Sequence, residues 1–119
     1  MDNLYNLVID AVFDSKALDI VSIDISEVSI MADYFIICSG RSRTHIQGIA
    51  NNILEKIKDN NFKLYNISGY EQADWVLIDL GNLVVHVMNN EIRNFYKLEK
   101  LWSNGKIIYL DEDIKQKAN

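Results

Sequence analysis

Three groups of residues in this chain have side chains suited to chemistry. The first is the loop Ser39-Gly40-Arg41-Ser42-Arg43, which joins an apolar run to a helical pattern. Backbone N–H groups at a helix N-terminus attract anions, and two arginines would strengthen that field, so a phosphate is conceivable here. The spacing is neither that of a P-loop nor that of a dinucleotide fingerprint, and Gly and Ser also occur in such turns for conformational reasons alone. The second group is Asp74 and Asp79. Metal-dependent phosphoryl or nucleotidyl transfer needs carboxylates that converge on one or two divalent ions, and Asp-x-Asp on a strand would put two on one face. The positions two before and two after Asp79 are Leu77 and Gly81, so that pair is absent. Asp24 and Asp33 are the other carboxylates that the fold could bring near. The third group is His45 and His86, neither with a second His or Cys at ligand spacing. Ser39 and Ser42 have no base at a recognisable spacing. No metal, cofactor or catalytic set is implied.

The remaining distinctive residues are large and aromatic. Tyr70 and Trp75 flank the acidic segment Glu71–Asp74, and Phe95, Tyr96 and Trp102 follow among charges. Such residues can simply be core, but Trp, Tyr and Arg also dominate the energetics of protein interfaces. Carboxylates interleaved with aromatics, without a nucleophile–base pair, point to a surface that grips another macromolecule.

Bulk properties narrow the partner. The chain has 119 residues, one domain's length, enough to bury about two-thirds of its unfolded surface without staples. Lys and Arg total 12 against 17 Asp and Glu, a net charge of −5. An acidic protein gains nothing from the counterion release that drives nucleic-acid binding, whereas a basic protein partner is drawn to it. The single cysteine, Cys38, excludes an internal disulfide and fits a reducing cytoplasm. The first residues lack the layout of a signal peptide, and the longest apolar runs are too short to span a bilayer.

Periodicity supplies the elements that must position these groups. Leu4, Leu7, Val8, Ala11 and Val12 trace one face of a helix. Asp19–Ile25 alternates as a strand with one wet face, and Tyr34–Cys38 is continuous enough for a strand buried on both. Ile46, Ile49, Ala50, Ile53, Leu54 and Ile57 define a second helix, capped by Ser42 or by a Thr44–Gln47 box and ending near Asn60-Asn61. Lys63–Ser68 reads as a short strand stopped by Gly69, which makes a right-handed parallel crossover. Trp75–Leu80 and Leu83–Met88 form a hairpin across Gly81-Asn82. Asn89 or Asn90 caps a third helix. Lys106–Leu110 adds a short extended piece, and 111–119 is a polar C-terminal tail expected to fray. The sum is an α/β (or α+β) domain over residues 1–110, with three helices on a mixed sheet of about five strands.

Four segments resemble the ribosomal silencing factor, or iojap-like, family. They are Ala32–Ser42 (ADYFIICSGRS), Ala73–Gly81 (ADWVLIDLG), Val84–Met88 (VVHVM) and Arg93–Trp102 (RNFYKLEKLW). The likeness runs from about Leu4 to Trp102. It implies a nucleotidyltransferase-like topology without transferase activity. It further implies a protein that binds the large ribosomal subunit through that subunit's protein number fourteen, blocks joining of the small subunit, and slows translation in nutrient shortage. It implies a partner-facing surface of Tyr70, Asp74, Trp75, Asp79, His86, Arg93, Tyr96, Glu99 and Trp102, in a monomer or weak homodimer that binds little nucleic acid directly. Arg41-Ser42-Arg43 departs from the small polar residues common in the family. That departure leaves a second reading, a nucleotidyltransferase-like enzyme or nucleotide-sensing module using the Ser39–Arg43 loop.

Overall fold

The computed structural model describes residues 2–110; the tail expected over 111–119 lies outside them. In chain order the elements are α1 (Asp2–Asp14), β1 (Leu18–Asp24), β2 (Tyr34–Ser39), α2 (Arg43–Asp59), β3 (Asn66–Ser68), β4 (Trp75–Asp79) and β5 (Leu83–Met88). They continue with α3 (Asn90–Tyr96), the single turn α4 (Leu98–Leu101) and β6 (Lys106–Leu110). The strands form one sheet in the order β3-β4-β5-β2-β1-β6. Only β2 and β5 pair in parallel; the other four pairings are antiparallel. The class is the mixed α+β arrangement expected.

Two details of the sheet differ from the expectation. The extended piece at Lys106–Leu110 is a full sixth strand, in register with β1 from Asp24↔Lys106 to Ile20↔Leu110. Its partner is more than 80 positions away, so no local pattern announces the pairing. The strand expected over Lys63–Ser68 begins only at Asn66; Tyr65 just before it still donates its backbone N–H to Asp79 O at 2.9 Å, and its ring lies beside Gly81. β3 runs parallel to β2, as the crossover requires, but β5 and β4 stand between them.

The sheet has two unlike faces. Ile46, Ile49, Ala50, Ile53 and Ile57 of α2, with Val8, Ala11 and Val12 of α1, seal one face against Ile36, Cys38, Val76, Ile78, Val85 and Val87. Truncating one of these fully buried isoleucines to alanine would cost about 2–5 kcal/mol. Ser42 caps α2 by accepting the His45 N–H at 3.0 Å, so Thr44 lies inside the helix and the expected Thr44–Gln47 box does not form. Gln47 instead donates to Tyr70 O at 2.9 Å. α2 ends where Asn61 turns left-handed (φ 62°).

The other face is only partly covered. Asn89 caps α3 by accepting the Ile92 N–H at 2.8 Å. Lys97, at φ 51°, breaks the chain direction between α3 and α4. Ile92 and Leu98 then pack on Val21, Ile23, Ile37 and Met88. Among the described residues, no helix covers the β4–β5 hairpin and the near end of β2 on this face. Among the described residues no helix is long and apolar enough to cross a membrane.

Candidate functional site: an aromatic groove on the open sheet face

Register builds the open face. Val76 and Ile78 point into the α1–α2 core, so Trp75, Leu77 and Asp79 point to the other side, as strand alternation demands. Across the ladder Asp79 pairs Val84 and Val84 pairs Phe35; Leu77 pairs His86 and His86 pairs Ile37. These rows floor a groove of about 390 Å³, walled by Tyr65 on one side and by Met31 and Trp102 on the other. Tyr65 reaches its place because residue 81 is glycine. Gly81 has φ +91°, and a Cβ there would lie 2.9 Å from the Tyr65 ring.

A run of rings leads from this groove to the surface. Trp102 meets Phe35 edge-on at 5.2 Å, and Phe35 meets His86 at 4.9 Å. His86 adjoins Trp75, Trp75 lies 5.0 Å from Tyr96, and Tyr96 lies 5.0 Å from Phe95. Phe95 is 78% exposed, Tyr96 51% and Leu101, the last residue of α4, 71%. Aromatic pairs at these separations add stability beyond their burial and hold each other's rotamers.

His86 is the buried polar group of the run, 4% exposed. Its Nδ1 accepts the Trp75 Nε1–H at 3.0 Å, so the neutral ring carries its proton on Nε2, which has no hydrogen-bond partner among the described residues. Burial pushes its pKa down to about 4, because a charged imidazole there would lose its water. The ring is therefore neutral near pH 7.

Asp79 does turn chemistry: its Oδ1 accepts the Gly81 N–H at 2.9 Å. Asp74 lies elsewhere, accepting from Asn89 Nδ2 at 3.2 Å and pairing loosely with Arg43 at 3.5 Å. Asp24 is turned to Ser26, whose hydroxyl and backbone N–H hold its pKa below the usual range. Among the described residues no three His, Cys, Asp or Glu side chains gather as a metal site.

The nine residues of the expected partner surface are thus divided. Asp79, His86 and Trp102 line the groove, and Trp75 and Tyr96 extend it. Arg93 and Glu99 pair with each other at 3.3 Å, and Arg93 Nη1 also donates to Ser39 Oγ at 2.8 Å. Arg93 is 7% exposed, so it clamps α3 and α4 to the end of β2 rather than standing in solvent. Tyr70 packs toward α2, its hydroxyl accepting from Asn51 at 2.8 Å. Sequence reasoning did not single out Phe35, Tyr65, Leu77 or Met31. The Leu77–Asp79 alternation pointed to a shared face, but not to what lies opposite.

Gly40–Arg43 of the Ser39–Arg43 loop line a separate cavity of about 560 Å³. Its amides are partly spent: Gly40 N–H donates to Met88 O at 3.0 Å and Arg41 N–H to His45 Nδ1 at 2.9 Å. Arg43 Nε donates to Gln72 O, and the carboxylates of Asp74 and Glu91 share the cavity. Those two carboxylates offset Arg41 and Arg43, so the cavity lining has no net positive charge to hold a phosphate. His45 is structural, its Nε2 donating to Ser15 O at 2.8 Å.

The family model described as ribosomal silencing factor during starvation matches residues 1–119. The chain belongs to the ribosomal silencing factor family. A ribosomal silencing factor of Halalkalibacterium halodurans is 40% identical over 108 residues, covering 91% of this chain and 92% of that one. A mouse relative, 30% identical over 82% of this chain and 44% of its own length, is named mitochondrial assembly of ribosomal large subunit protein 1. A crystal structure from Chromobacterium violaceum superposes with a TM-score of 0.85 at 31% identity, covering 93% of this chain and 92% of that one. The four motif segments of this ribosomal silencing factor family member fall on β2 and its following turn, β4, β5 and the α3–α4 arm, the elements that build the groove and its aromatic run.

Proposed function

We propose that this protein represses translation in the cytoplasm by binding the large ribosomal subunit, through that subunit's protein number fourteen, and sterically blocking the small subunit. The observation that carries this reading is the aromatic run that opens at Phe95 and Tyr96 beside a groove that, among the described residues, has no covering element and no catalytic constellation. Large rigid side chains of this kind supply contact area at low entropic cost, which is what a docking surface needs. Family membership and the name of the mouse relative support a ribosomal destination. The net charge of −5 favours a basic ribosomal protein over bare RNA as the landing point.

The mechanism is occlusion, and it requires no turnover, metal or cofactor. Asp79 offers one carboxylate whose same-face neighbours are Trp75 and Leu77, a geometry that cannot clamp attacking and leaving oxygens between two metals. The protein acts as a monomer or weak homodimer. The test is a sucrose gradient with separated subunits. The protein should travel with the large subunit and lower the yield of joined ribosomes. Unchanged joining at saturating protein, with all of it left at the top, would refute the reading.

A further inference from the structure

We propose that the groove between β4–β5 and Trp102 is a recognition site for a guanidinium, an arginine side chain presented by the basic partner, held by the Asp79 carboxylate and the rings of Phe35, Tyr65 and Trp102. That the arginine belongs to a ribosomal protein rests on the function proposed above; that the groove selects a guanidinium does not.

Of the residues lining the groove, Asp79 carries the ionised group; the rest are apolar, aromatic or neutral, His86 included. Asp79 Oδ1 is engaged by the Gly81 N–H, while the other carboxylate oxygen makes no hydrogen bond within the described residues. An apolar occupant would strip water from that oxygen and leave a charge unpaired, which is costly. A phosphate or carboxylate would meet it with like charge. A cation pairs it.

The walls then choose among cations. Rings attract positive charge to their faces, and a guanidinium, planar and weakly hydrated, stacks on them more readily than an ammonium. The molecule already contains one contact of this kind, since Lys63 Nζ lies 4.6 Å from the centre of the Tyr65 ring. Lys63 does not line the groove, so that contact leaves the groove itself open. Leu77 and Val84 on the floor give the aliphatic stem of an arginine apolar surface to cover. The occupancy of residue 81 by glycine fits the same purpose, because any Cβ there would push Tyr65 off the wall.

The experiment titrates the full chain with L-argininamide while following the backbone amide of Gly81 and the two indole N–H signals by NMR. Saturable shifts at Gly81 and Trp102, weakened by salt and larger than those from lysinamide, are expected. Asp79→Asn keeps an oxygen for the Gly81 N–H and removes the charge, and should weaken argininamide binding about tenfold. Asp24→Asn, outside the groove, should not change it. The absence of saturable shifts, equal shifts from neutral N-acetylglycinamide, or unchanged affinity in Asp79→Asn would each overturn the proposal. Co-sedimentation is read separately. A wild-type protein that rides with large subunits yet ignores argininamide overturns this inference alone. One that binds argininamide through Asp79 but never co-sediments overturns the ribosomal reading alone.

Discussion

Replacing Trp75 with phenylalanine isolates the hydrogen bond that holds the aromatic run together. The phenyl ring can keep much of the contact with Tyr96, now 5.0 Å from the indole, but it cannot donate to His86 Nδ1. His86 is buried and its Nε2 already lacks a partner, so the variant leaves both ring nitrogens unsatisfied. Stranding a buried acceptor costs about 1–3 kcal/mol. The half-buried indole also loses roughly 0.5–1 kcal/mol of apolar contact on shrinking to phenyl. A total near 2 kcal/mol should lower Tm by about 8 °C in a domain of this size. Thermal melting by circular dichroism reads that loss. Imidazole ¹⁵N shifts read its cause: the wild-type His86 should show a bare Nδ1 and a protonated Nε2 near pH 7. A Tm within about 2 °C of wild type, or a wild-type ring protonated on Nδ1, would refute this account of how Trp75 and His86 are joined.

Three further outcomes follow from the buried polar groups. Arg93→Met should destabilise the fold by about 2–3 kcal/mol in urea titration, because it strands the partly buried Glu99 carboxylate, and Arg93→Met with Glu99→Gln should be more stable than Arg93→Met alone. Cys38 is fully buried with its pKa pushed up to about 12 by desolvation, so iodoacetamide at pH 8 should label it only after unfolding; rapid labelling of the native protein would contradict its placement. His86 has a folded pKa near 4 against 6.5 for an unperturbed histidine, so the unfolded chain takes up the proton first. The stability this group contributes is whole above pH 6.5 and falls by up to roughly 3 kcal/mol as pH drops toward 4, a loss that His86→Gln should largely abolish in melts across that window.

Local chemistry in the sequence determined which elements exist. The 3.6-residue spacing of Ile46, Ile49, Ile53 and Ile57 permits only a one-sided helix, and Gly81-Asn82 between two apolar runs permits only a tight hairpin. Asn89 and Ser42 cap their helices because each has a short acceptor side chain just ahead of a periodic run. The four family segments likewise read directly from the chain. Tertiary structure alone decided what those elements meet. The pairing of Lys106–Leu110 with β1, and the separation of β3 from β2 by two strands, depend on contacts across most of the chain, which leave no periodic trace. Burial followed the same rule. The family likeness puts Arg93 and His86 on the partner-facing surface, but their burial is not written in the sequence: the α3–α4 arm closes over one and Phe35 with Trp75 over the other. Side-chain type records what a residue can do. Whether it faces water, another ring or a partner is set by long-range register, and that register placed Phe35, Leu77, Asp79 and His86 on one open face of the sheet.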